Sequence, residues 1–417
     1  MYQEELERMG RLAVAAASDL AALPTDAKRN CLLAMAKAVE DNAAVITKAN
    51  AKDVDAAIAK NLTPAMVDRL TLNAERIKSM ADGLRTVAGQ DDPVGKVISK
   101  TVRPNGLEIT KVSVPFGVIG IIYESRPNVT VDAAGICIMA GNAVILRGGS
   151  EAFNSNQVLA DILNKAAIAS GLPDGVVNML PWTSHEAVTA MLKMDKYIDL
   201  VIPRGGERLI RTVTAQATMP VLKHYKGVCH LYVDEECDLA KAIDIIINAK
   251  CQRPGVCNAL ETLLISQKIL PKFAPILVKA LRENKVVCHG DSQYCAYDDM
   301  AIVATQDDYF AEYLALELAI KTVEDVKEAV AHINTYGSKH SDGIISNNQE
   351  NIAYFQQRVD SSCVYANAST RFTDGGQFGM GAEIGISTDK LHARGPMGAD
   401  ELTSYKYLIC GTGQVRN

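Results

Sequence analysis

Short apolar segments alternate with amphipathic segments from residue 115 onward, and no other feature of the chain restricts its fold as much. In the first half of this stretch, strands are predicted at residues 117–122, 143–146, 175–179 and 198–202. Strands and helices that alternate with short connections are typical of a parallel, doubly wound sheet. A second alternating stretch begins near residue 228, with strands predicted at residues 228–233, 262–265, 286–288, 302–304, 343–346 and 362–365. The chain is therefore predicted to be an α/β protein with two doubly wound α/β domains.

A β-hairpin is predicted between an N-terminal helical region and the first of these domains. Residues 4–89 carry apolar side chains at helical spacing, whereas residues 97–103 and 107–114 are rich in β-formers. Asn105-Gly106 between two such runs is a strong signal for a tight turn. The hairpin is expected to protrude, either to pair with another subunit or as a plain surface feature.

Composition excludes several classes of protein. The 417 residues carry a net charge of −6, which gives no electrostatic reason to bind nucleic acid. The ten cysteines form no C-x-x-C pair and no regular pattern, as expected of reduced thiols in a cytoplasmic protein. The acidic N-terminus is unlike a signal peptide, and no apolar run is long enough to cross a membrane. No membrane partner and no metal site are predicted.

The residues that follow the predicted strands are the first candidates for binding, because ligands of doubly wound sheets lie beyond the carboxyl ends of the strands. Arg147-Gly148-Gly149-Ser150 follows the strand at 143–146. An arginine here accommodates the 2′-phosphate of NADP, whereas an acidic residue favours NAD. The alternative is a surface arginine followed by a helix N-cap at Ser150.

A second candidate for cofactor binding is Arg204-Gly205-Gly206, which follows the strand at 198–202 and opens a helix. Two glycines there allow a phosphate group to approach the backbone N–H groups at the positive end of the helix. A simple turn explains the same residues equally well. The usual G-x-G-x-x-G pattern is missing from the region.

One cysteine occupies an unusual position in the second domain. Cys257 stands in a Pro-Gly loop, between a helix that ends near Lys250 and an apolar strand. Neighbouring backbone donors and Arg253 favour the thiolate, which is the nucleophilic form of a cysteine. Most free cysteines are instead buried apolar residues, so the loop alone leaves both interpretations open.

Four long segments carry a family resemblance. They are VPFGVIGIIYESRPNVTVDAAGICIMAGNAVILRGGSEA (114–152), CQRPGVCNALETLL (251–264), AHINTYGSKHSDGIIS (331–346) and TRFTDGGQFGMGAEIGISTDKLHARGPMG (370–398). The segments and their order resemble the aldehyde dehydrogenase superfamily, and within it the γ-glutamyl phosphate reductase branch, over essentially the whole chain. The resemblance implies an aldehyde-dehydrogenase-like fold and an oxidoreductase that uses NADPH.

The resemblance also implies roles for individual residues. Cys257 matches the catalytic cysteine of the family, and Asn128 matches the asparagine whose amide joins the cysteine N–H in the oxyanion hole. Glu317 matches a glutamate that contacts the nicotinamide ribose. The other residues expected at the cofactor are Arg147, Gly148, Ser150, Arg204, Gly205 and Gly206.

Arginines are expected to bind the two anionic ends of the substrate, because a planar guanidinium suits phosphate and carboxylate alike. Arg126, Arg253 and Arg394 are the first candidates, with a structural salt bridge as the alternative for each. The lower-ranked candidates are Thr370, Arg371 and His392.

One departure from the wider family bears on the reaction. Hydrolytic members carry a general-base glutamate in a Glu-x-Gly-Gly string upstream of the cysteine, whereas this chain has KHYKG at 223–227. Without that carboxylate, phosphate or hydride rather than water is expected to react with a thioester. His224 is an alternative base. The string from His332 to His340 is a signature of the branch to which we assign no chemical role.

The resemblance implies a specific reaction and organisation. The expected reaction is the NADPH-dependent reduction of γ-glutamyl phosphate to glutamate 5-semialdehyde and phosphate through a cysteine thioester, the second step of proline biosynthesis from glutamate. Residues 1–96 and 115–226 are expected to form the NADP-binding domain, and 227–400 the catalytic domain. Residues 97–114 and 401–417 resemble the family's oligomerisation elements, which implies a homo-oligomer. Glutamate 5-kinase, which makes the acyl phosphate, is a further expected partner.

Two other functions predict different features. A hydrolytic aldehyde dehydrogenase needs a carboxylate base near Cys257. A phosphate-binding transferase, such as an amino-acid kinase, needs a G-x-x-x-x-G-K-[ST] loop or similar magnesium ligands, and the sequence contains no such loop.

Overall fold

The computed structural model describes residues 2–416 of the chain. Their contacts divide the chain into two compact units. The first unit comprises Met1–Lys223, Gly379–Gly385 and Met397–Asn417, and the second comprises His224–Phe378 and Ile386–Pro396. Each unit contains its own parallel sheet, so the predicted pair of doubly wound domains is confirmed.

The first unit begins with amphipathic helices. In the first of them the buried residues Leu6, Met9, Ala13, Ala16 and Leu20 recur every three or four positions, which directs one face of the helix inward. The helices are α1 (Tyr2–Leu20), α2 (Thr25–Asp41), α3 (Ala43–Ala59), α4 (Pro64–Leu70) and α5 (Ala74–Ala88).

The predicted hairpin follows these helices. β1 (Val97–Val102) pairs antiparallel with β2 (Glu108–Pro115), and Gly106 in the turn has a φ of 84°, which glycine adopts without strain. The last strand, β16 (Thr403–Cys410), pairs with the other side of β2. The two segments predicted to serve oligomerisation therefore form one three-stranded sheet, and that role stays a prediction.

Four parallel strands form the larger sheet of the first unit, in the order β5-β4-β3-β6. Every residue of the central strand β3 is buried, as expected for a strand covered on both faces. β4 and β5 lie on one side of β3, and β6 lies on its other side. The strand order therefore reverses between β3 and β6, which is the topological switch point of the sheet. The strands are β3 (Val118–Tyr123), β4 (Ala143–Arg147), β5 (Val177–Met179) and β6 (Leu200–Arg204).

Helices connect these strands. A short 3₁₀ turn, Ser150–Ala152, precedes the second of them. They are α6 (Asn128–Met139), α7 (Phe153–Ala169), α8 (His185–Met191) and α9 (Glu207–Gln216).

Seven parallel strands form the sheet of the second unit, in the order β10-β9-β11-β8-β7-β12-β13. The strand β11, between β9 and β8, was not among the strands predicted from the sequence. The strands are β7 (Cys229–Val233), β8 (Leu260–Ser266), β9 (Val287–Gly290), β10 (Ile302–Val303), β11 (Glu317–Val323), β12 (Ser341–Ile345) and β13 (Cys363–Ala366).

Helices of the second unit begin at polar caps that the sequence supplies. Asp238, Asp325 and Asn348 each accept backbone N–H groups at the start of a helix, which satisfies donors that a helix leaves free. The helices are α10 (Leu239–Cys251), α11 (Leu270–Glu283), α12 (Ser292–Cys295), α13 (Gln306–Tyr309), α14 (Val326–Tyr336) and α15 (Gln349–Arg358). Two short strands, β14 (Gly385–Ser387) and β15 (Gly395–Met397), pair with each other.

The unit boundaries differ from the predicted domains. The first boundary falls after Lys223 rather than after residue 226, and Gly379–Gly385 belongs to the first unit although it was assigned to the catalytic domain. Backbone pairing explains the assignment, because the Ile384 N–H donates to the Met397 carbonyl. Within residues 2–416, no helix combines the length and the apolar character that a membrane span requires.

Candidate active site

In the first unit, the candidate residues lie at the carboxyl edge of the sheet. Arg147 ends β4, Arg204 ends β6, and Gly205 and Gly206 follow β6 directly. Neighbouring parallel strands end at the same edge, so these residues share one side of the sheet. This is the edge at which doubly wound sheets bind nucleotides.

Arg147 is buried at this edge. Its Nη2 donates to the Thr183 carbonyl at 2.8 Å, and burial lowers the pKa of its guanidinium. A Cβ on Gly148 would lie 2.0 Å from the amide nitrogen of Asn156, so only glycine fits there in this conformation. Ser150 is exposed and does not occupy the N-cap position of the 3₁₀ turn, which is Gly149. The alternative role of Ser150 as a helix cap is therefore wrong.

The glycines after β6 already hold an anionic group. The Gly206 N–H donates to Oε2 of Glu124 at 2.8 Å, just before the ten-residue helix α9. Glu124 follows β3, so this contact lies at the switch point between β3 and β6. A carboxylate at a helix N-terminus occupies the kind of place that a phosphate prefers. The residues at this edge thus fit the pyrophosphate of a dinucleotide.

Asn128 begins α6, immediately beyond the same edge. Its Nδ2 donates to Oδ2 of Asp132, one helical turn later, at 3.0 Å. Burial raises the pKa of Asp132 to about 6, although the Asn128 hydrogen bond opposes the shift. Because a carboxylate only accepts hydrogen bonds, it determines which end of the Asn128 amide turns towards it. Arg126 lies half-buried in the connection before α6.

In the second unit, the candidate residues lie at the amino edge of the sheet, where its strands begin. Cys257 precedes β8, Gly227 precedes β7 and His340 precedes β12. Because β7, β8 and β12 are parallel neighbours, these residues meet at the amino edge of the sheet. Reasoning from the carboxyl ends of strands does not find this group.

The cysteine loop packs directly on the start of β7. A Cβ on Gly227 would lie 1.9 Å from the carbonyl oxygen of Cys257, so glycine is required for this approach. Cys229 lies buried beneath, and its Sγ donates to the same carbonyl at 3.2 Å. Burial holds the pKa of Cys229 well above its ordinary value, whereas Cys257 is only half-buried. Of the two thiols, Cys257 is the accessible one.

Glu312 is a residue of this edge that the sequence reasoning missed. Its Oε1 accepts the Gly227 N–H at 2.8 Å, next to the Cys257 loop. Glu317 was predicted to contact the cofactor. It begins β11, where its Oε2 lies 3.3 Å from Nε2 of His289. Its role at a nicotinamide ribose stays a prediction.

Asn258, the neighbour of Cys257, is held by hydrogen bonds to residues 370–373. Its Nδ2 donates to the Thr373 carbonyl and its own carbonyl accepts the Thr370 hydroxyl, both at 2.7 Å. Arg371 donates to the Asn258 side chain. These bonds fix the backbone that carries Cys257.

Arg371 brings positive charge close to the thiol of Cys257. Burial lowers the pKa of the Arg371 guanidinium, the charge of Arg253 lowers it further, and the charge of Cys257 acts in the opposite sense. Arg371, ranked low from the sequence, therefore lies within electrostatic range of both Cys257 and Arg253.

Arg394 is engaged by a carboxylate. Its Nη2 lies 2.8 Å from Oδ1 of Asp360, which also pairs with Lys390 at 2.8 Å and with Lys339 at 3.3 Å. These cations hold the pKa of Asp360 well below its usual range. Three cations around one carboxylate leave an excess of positive charge, which is suited to an anion. Substrate binding by Arg394 stays a prediction.

A buried ion pair flanks the cysteine loop. Nζ of Lys250, at the end of α10, lies 2.8 Å from Oε2 of Glu261 on β8, and neither side chain is exposed to solvent. Nζ also donates to the Leu260 carbonyl at 2.7 Å. Burial raises the pKa of Glu261 to about 7, although the Lys250 charge opposes the shift. The pair joins the two elements between which Cys257 lies.

Two histidines stand beside the thiol. The ligand atoms of His224, Cys257 and His340 all lie within 4.8 Å of one another. Nδ1 of His224 lies 2.7 Å from the Ile386 carbonyl oxygen, which can only accept. Nδ1 of His224 therefore carries a proton, and in the neutral ring its Nε2 carries the lone pair. We call these three residues the Cys–His cluster.

Comparisons with known proteins identify the family of the chain. The model of the aldehyde dehydrogenase family matches residues 1–296. An acetylating aldehyde dehydrogenase from Geobacillus thermoglucosidasius shares the fold, with a TM-score of 0.69 at 17% identity over 100% of this chain and 98% of that one. The chain belongs to the aldehyde dehydrogenase family.

Two relatives are similar over their full length. A γ-glutamyl phosphate reductase from Moorella thermoacetica is 53% identical over 412 residues, 99% of each chain. The crystal structure of γ-glutamyl phosphate reductase from Thermotoga maritima has a TM-score of 0.97 at 44% identity, over 99% of this chain and 100% of that one. The resemblance inferred from the four sequence segments is confirmed, and the chain is an oxidoreductase of the aldehyde dehydrogenase type.

Proposed function

We propose that this chain reduces γ-glutamyl phosphate to glutamate 5-semialdehyde and phosphate with NADPH, the second step of proline biosynthesis from glutamate. The observation that carries the proposal is the accessible Cys257 at the amino edge of the second sheet, within electrostatic range of Arg371. Full-length relatives named γ-glutamyl phosphate reductase support the choice of substrate.

In this mechanism, the Cys257 thiolate attacks the acyl carbon of the substrate. The carbon–sulfur bond forms and the bond to the phosphate oxygen breaks, so that phosphate leaves with the electron pair. The Asn128 amide and the Cys257 N–H stabilise the oxyanion. Arg253 and Arg371 neutralise the phosphate as it departs, and the product of this half-reaction is a thioester on Cys257.

The second half-reaction regenerates the thiolate. NADPH, when bound, supplies a hydride to the thioester carbon. Asn128 again holds the oxyanion until the carbon–sulfur bond breaks and the aldehyde is released. Together the two half-reactions consume one NADPH and one proton.

The residues at the carboxyl edge of the first sheet are proposed to hold the cofactor. Arg147 is the cation for the 2′-phosphate, with Ser150 exposed beside it, and the Gly205-Gly206 N–H groups face the pyrophosphate. Gly148 and Arg204 complete that surface. Glu124 must leave the Gly206 N–H when a phosphate arrives, because both groups accept the same hydrogen bond.

The test uses the reverse reaction. The full-length chain is mixed with glutamate 5-semialdehyde and NADP⁺, with and without inorganic phosphate, and NADPH is followed by absorbance. The proposal expects NADPH only when phosphate is present, and a loss of at least about 10⁴-fold in Cys257→Ala. The matched control is Cys410→Ser, which replaces an exposed cysteine far along the sequence and should keep full activity.

Two results would contradict the proposal. NADPH formation without phosphate would identify a hydrolytic enzyme, with Glu312 as the first carboxylate to examine because it already contacts Gly227. Full activity in Cys257→Ala would exclude Cys257 as the nucleophile. A homo-oligomer built through the three-stranded sheet, and transfer of the acyl phosphate from glutamate 5-kinase, complete the proposal. Sedimentation of the chain alone and with the kinase tests both.

A further inference from the structure

The Cys–His cluster combines the donor atoms that zinc prefers. Thiolate sulfur and imidazole nitrogen bind Zn²⁺ in tetrahedral sites, and hard cations such as Mg²⁺ and Ca²⁺ select oxygen instead. Tetrahedral zinc with ordinary bond lengths separates its ligand atoms by about 3.3–3.8 Å. The ligand atoms of His224, Cys257 and His340 lie within 4.8 Å of one another, so small side-chain rotations bring them to that separation.

The histidines are also held in the way that metal ligands are held. A ligating histidine usually donates its other ring N–H to a carbonyl or carboxylate, which fixes the ring and its tautomer. His224 makes such a bond from Nδ1 to the Ile386 carbonyl at 2.7 Å. Nδ1 of His340 lies 2.9 Å from Oγ of Ser341, which fixes that ring as well. His224 and Cys257 are half-exposed, so a metal ion can reach them from solvent.

We propose that the Cys–His cluster is an inhibitory site that binds one Zn²⁺ reversibly. A zinc–sulfur bond forms at Cys257, the thiol proton passes to solvent, and both imidazoles bind through neutral nitrogen. Water fills the fourth position, and no oxidation or reduction takes place. The bond uses the sulfur electron pair that attacks the acyl carbon, so the metal-bound chain is inactive; this last step rests on the proposed function.

The first test measures binding without measuring activity. Co²⁺ is titrated into the full-length reduced chain, because tetrahedral cobalt–thiolate sites absorb in the near-ultraviolet and the visible. We expect both bands to saturate at one Co²⁺ per chain and to disappear when Zn²⁺ is added, since zinc binds such ligands more tightly than cobalt. Absence of a one-to-one thiolate band overturns the proposal.

Variants assign the band to the three residues. Cys257→Ser should remove the near-ultraviolet band, and His224→Asn and His340→Asn should each weaken Co²⁺ binding at least about tenfold. Cys410→Ser, outside the cluster, should bind Co²⁺ as the unmodified chain does. Because His340 is buried, the folding of His340→Asn is first checked by circular dichroism. If that variant does not fold, the result for His224→Asn, at a half-exposed position, decides the assignment. Unchanged affinity in His224→Asn overturns the assignment.

Activity then separates this inference from the proposed function. Zn²⁺ should inhibit NADPH formation in the same concentration range in which it displaces Co²⁺, and EDTA should restore the activity. If the chain stays active with Zn²⁺ bound, the metal does not inhibit it, and that part of the proposal is contradicted. An active Cys257→Ser chain contradicts the proposed function instead, and it leaves the spectroscopic result on metal binding intact.

Discussion

The two sheets of this protein present their candidate residues at opposite edges. In the first unit, Arg147 and Gly206 stand where strands end, so the next helix begins beside them. In the second unit, Cys257 and His340 stand where strands begin, so the preceding helix ends beside them. A helix N-terminus is electropositive and a helix C-terminus is electronegative. The same α/β architecture thus supplies opposite fields at its two edges.

The difference explains where each unit obtains its positive charge. At the carboxyl edge of the first sheet, backbone N–H groups of α9 already hold the carboxylate of Glu124. At the amino edge of the second sheet, the electronegative C-terminus of α10 disfavours an anion. Side chains must therefore supply the positive charge. Arg371 supplies it near Cys257, whereas Lys250 neutralises Glu261. We therefore expect a pyrophosphate to be bound mainly by the backbone in the first unit, and an anion to be bound mainly by side chains in the second.

The largest effect is expected from Lys250→Met. The change leaves the Glu261 carboxylate buried beside the end of α10 without its cation, which costs about 3–5 kcal/mol in the free energy of unfolding. Urea denaturation measures it. Lys28→Met in the first unit is the matched change, because Lys28 is buried and pairs with Asp92. It should cost less, because Asp92 keeps bonds from Thr25 and Val94.

If the two lysine variants lose equal stability, a buried cation contributes no more to stability at the amino edge of the second sheet than it does in the first unit. The comparison between the edges would then rest on the arginines alone.

Arg371→Ala should lower kcat/KM about 100-fold, because a charged donor is lost beside the reacting group. Iodoacetamide should also alkylate Cys257 more slowly in the variant, because the loss of nearby positive charge disfavours the thiolate. Arg371→Lys should recover part of the activity, because it restores the charge. It does not restore both guanidinium hydrogen bonds, which go to the side chains of Gln252 and Asn258. Arg358→Ala, on the surface of α15, is the control. An unchanged alkylation profile in Arg371→Ala would show that side-chain charge does not stabilise the thiolate.

Asp132→Asn should lower kcat about tenfold above pH 7, because an amide at position 132 no longer dictates the orientation of Asn128. The pKa of Asp132 is raised to about 6, so the wild-type carboxyl gains a proton as the pH falls through that value. The wild-type and variant rates should therefore converge below pH 6. Rate profiles from pH 5 to 8 measure this, with Asp161→Asn on the surface of α7 as control.

Asp132 also links stability to pH. Its folded-state pKa lies above the ordinary 3.8, so between those values the folded chain binds the proton more tightly than the unfolded chain. Its contribution to stability falls as the pH rises through this range. A parallel fall in the variant would assign the effect to another group.

Glu124→Ala should have the smallest effect. The change frees the Gly206 N–H for phosphate, so the KM for NADP⁺ is expected to fall about two- to fivefold, the value of one modest hydrogen bond. Initial rates at varied NADP⁺ measure it, and Glu186→Ala on α8 serves as control. A higher KM in Glu124→Ala would mean that this carboxylate helps to bind the cofactor, and the first sheet would then depend on side chains as the second does.

Much of the fold was predictable because its signals are local. The turn at Gly106, the buried run of β3 and the alternation of strands and helices each depend on residues that are close in sequence. The carboxyl-edge residues were predictable for the same reason, since Arg147 and Gly205 adjoin strands that could be recognised. β11 was missed although its residues are largely buried, because its apolar run follows an irregular segment without a preceding helix of ordinary length.

The sequence alone determined the two doubly wound domains, the hairpin and the likeness to a reductase family. Only the tertiary structure decided that positions 224, 257 and 340 form one cluster and that Glu312 and Arg371 adjoin the cysteine loop. The physical reason is that hydrophobic periodicity reports which face of an element is buried. The order of the strands, which brings distant residues to one edge, is set by packing between elements and leaves no local signal.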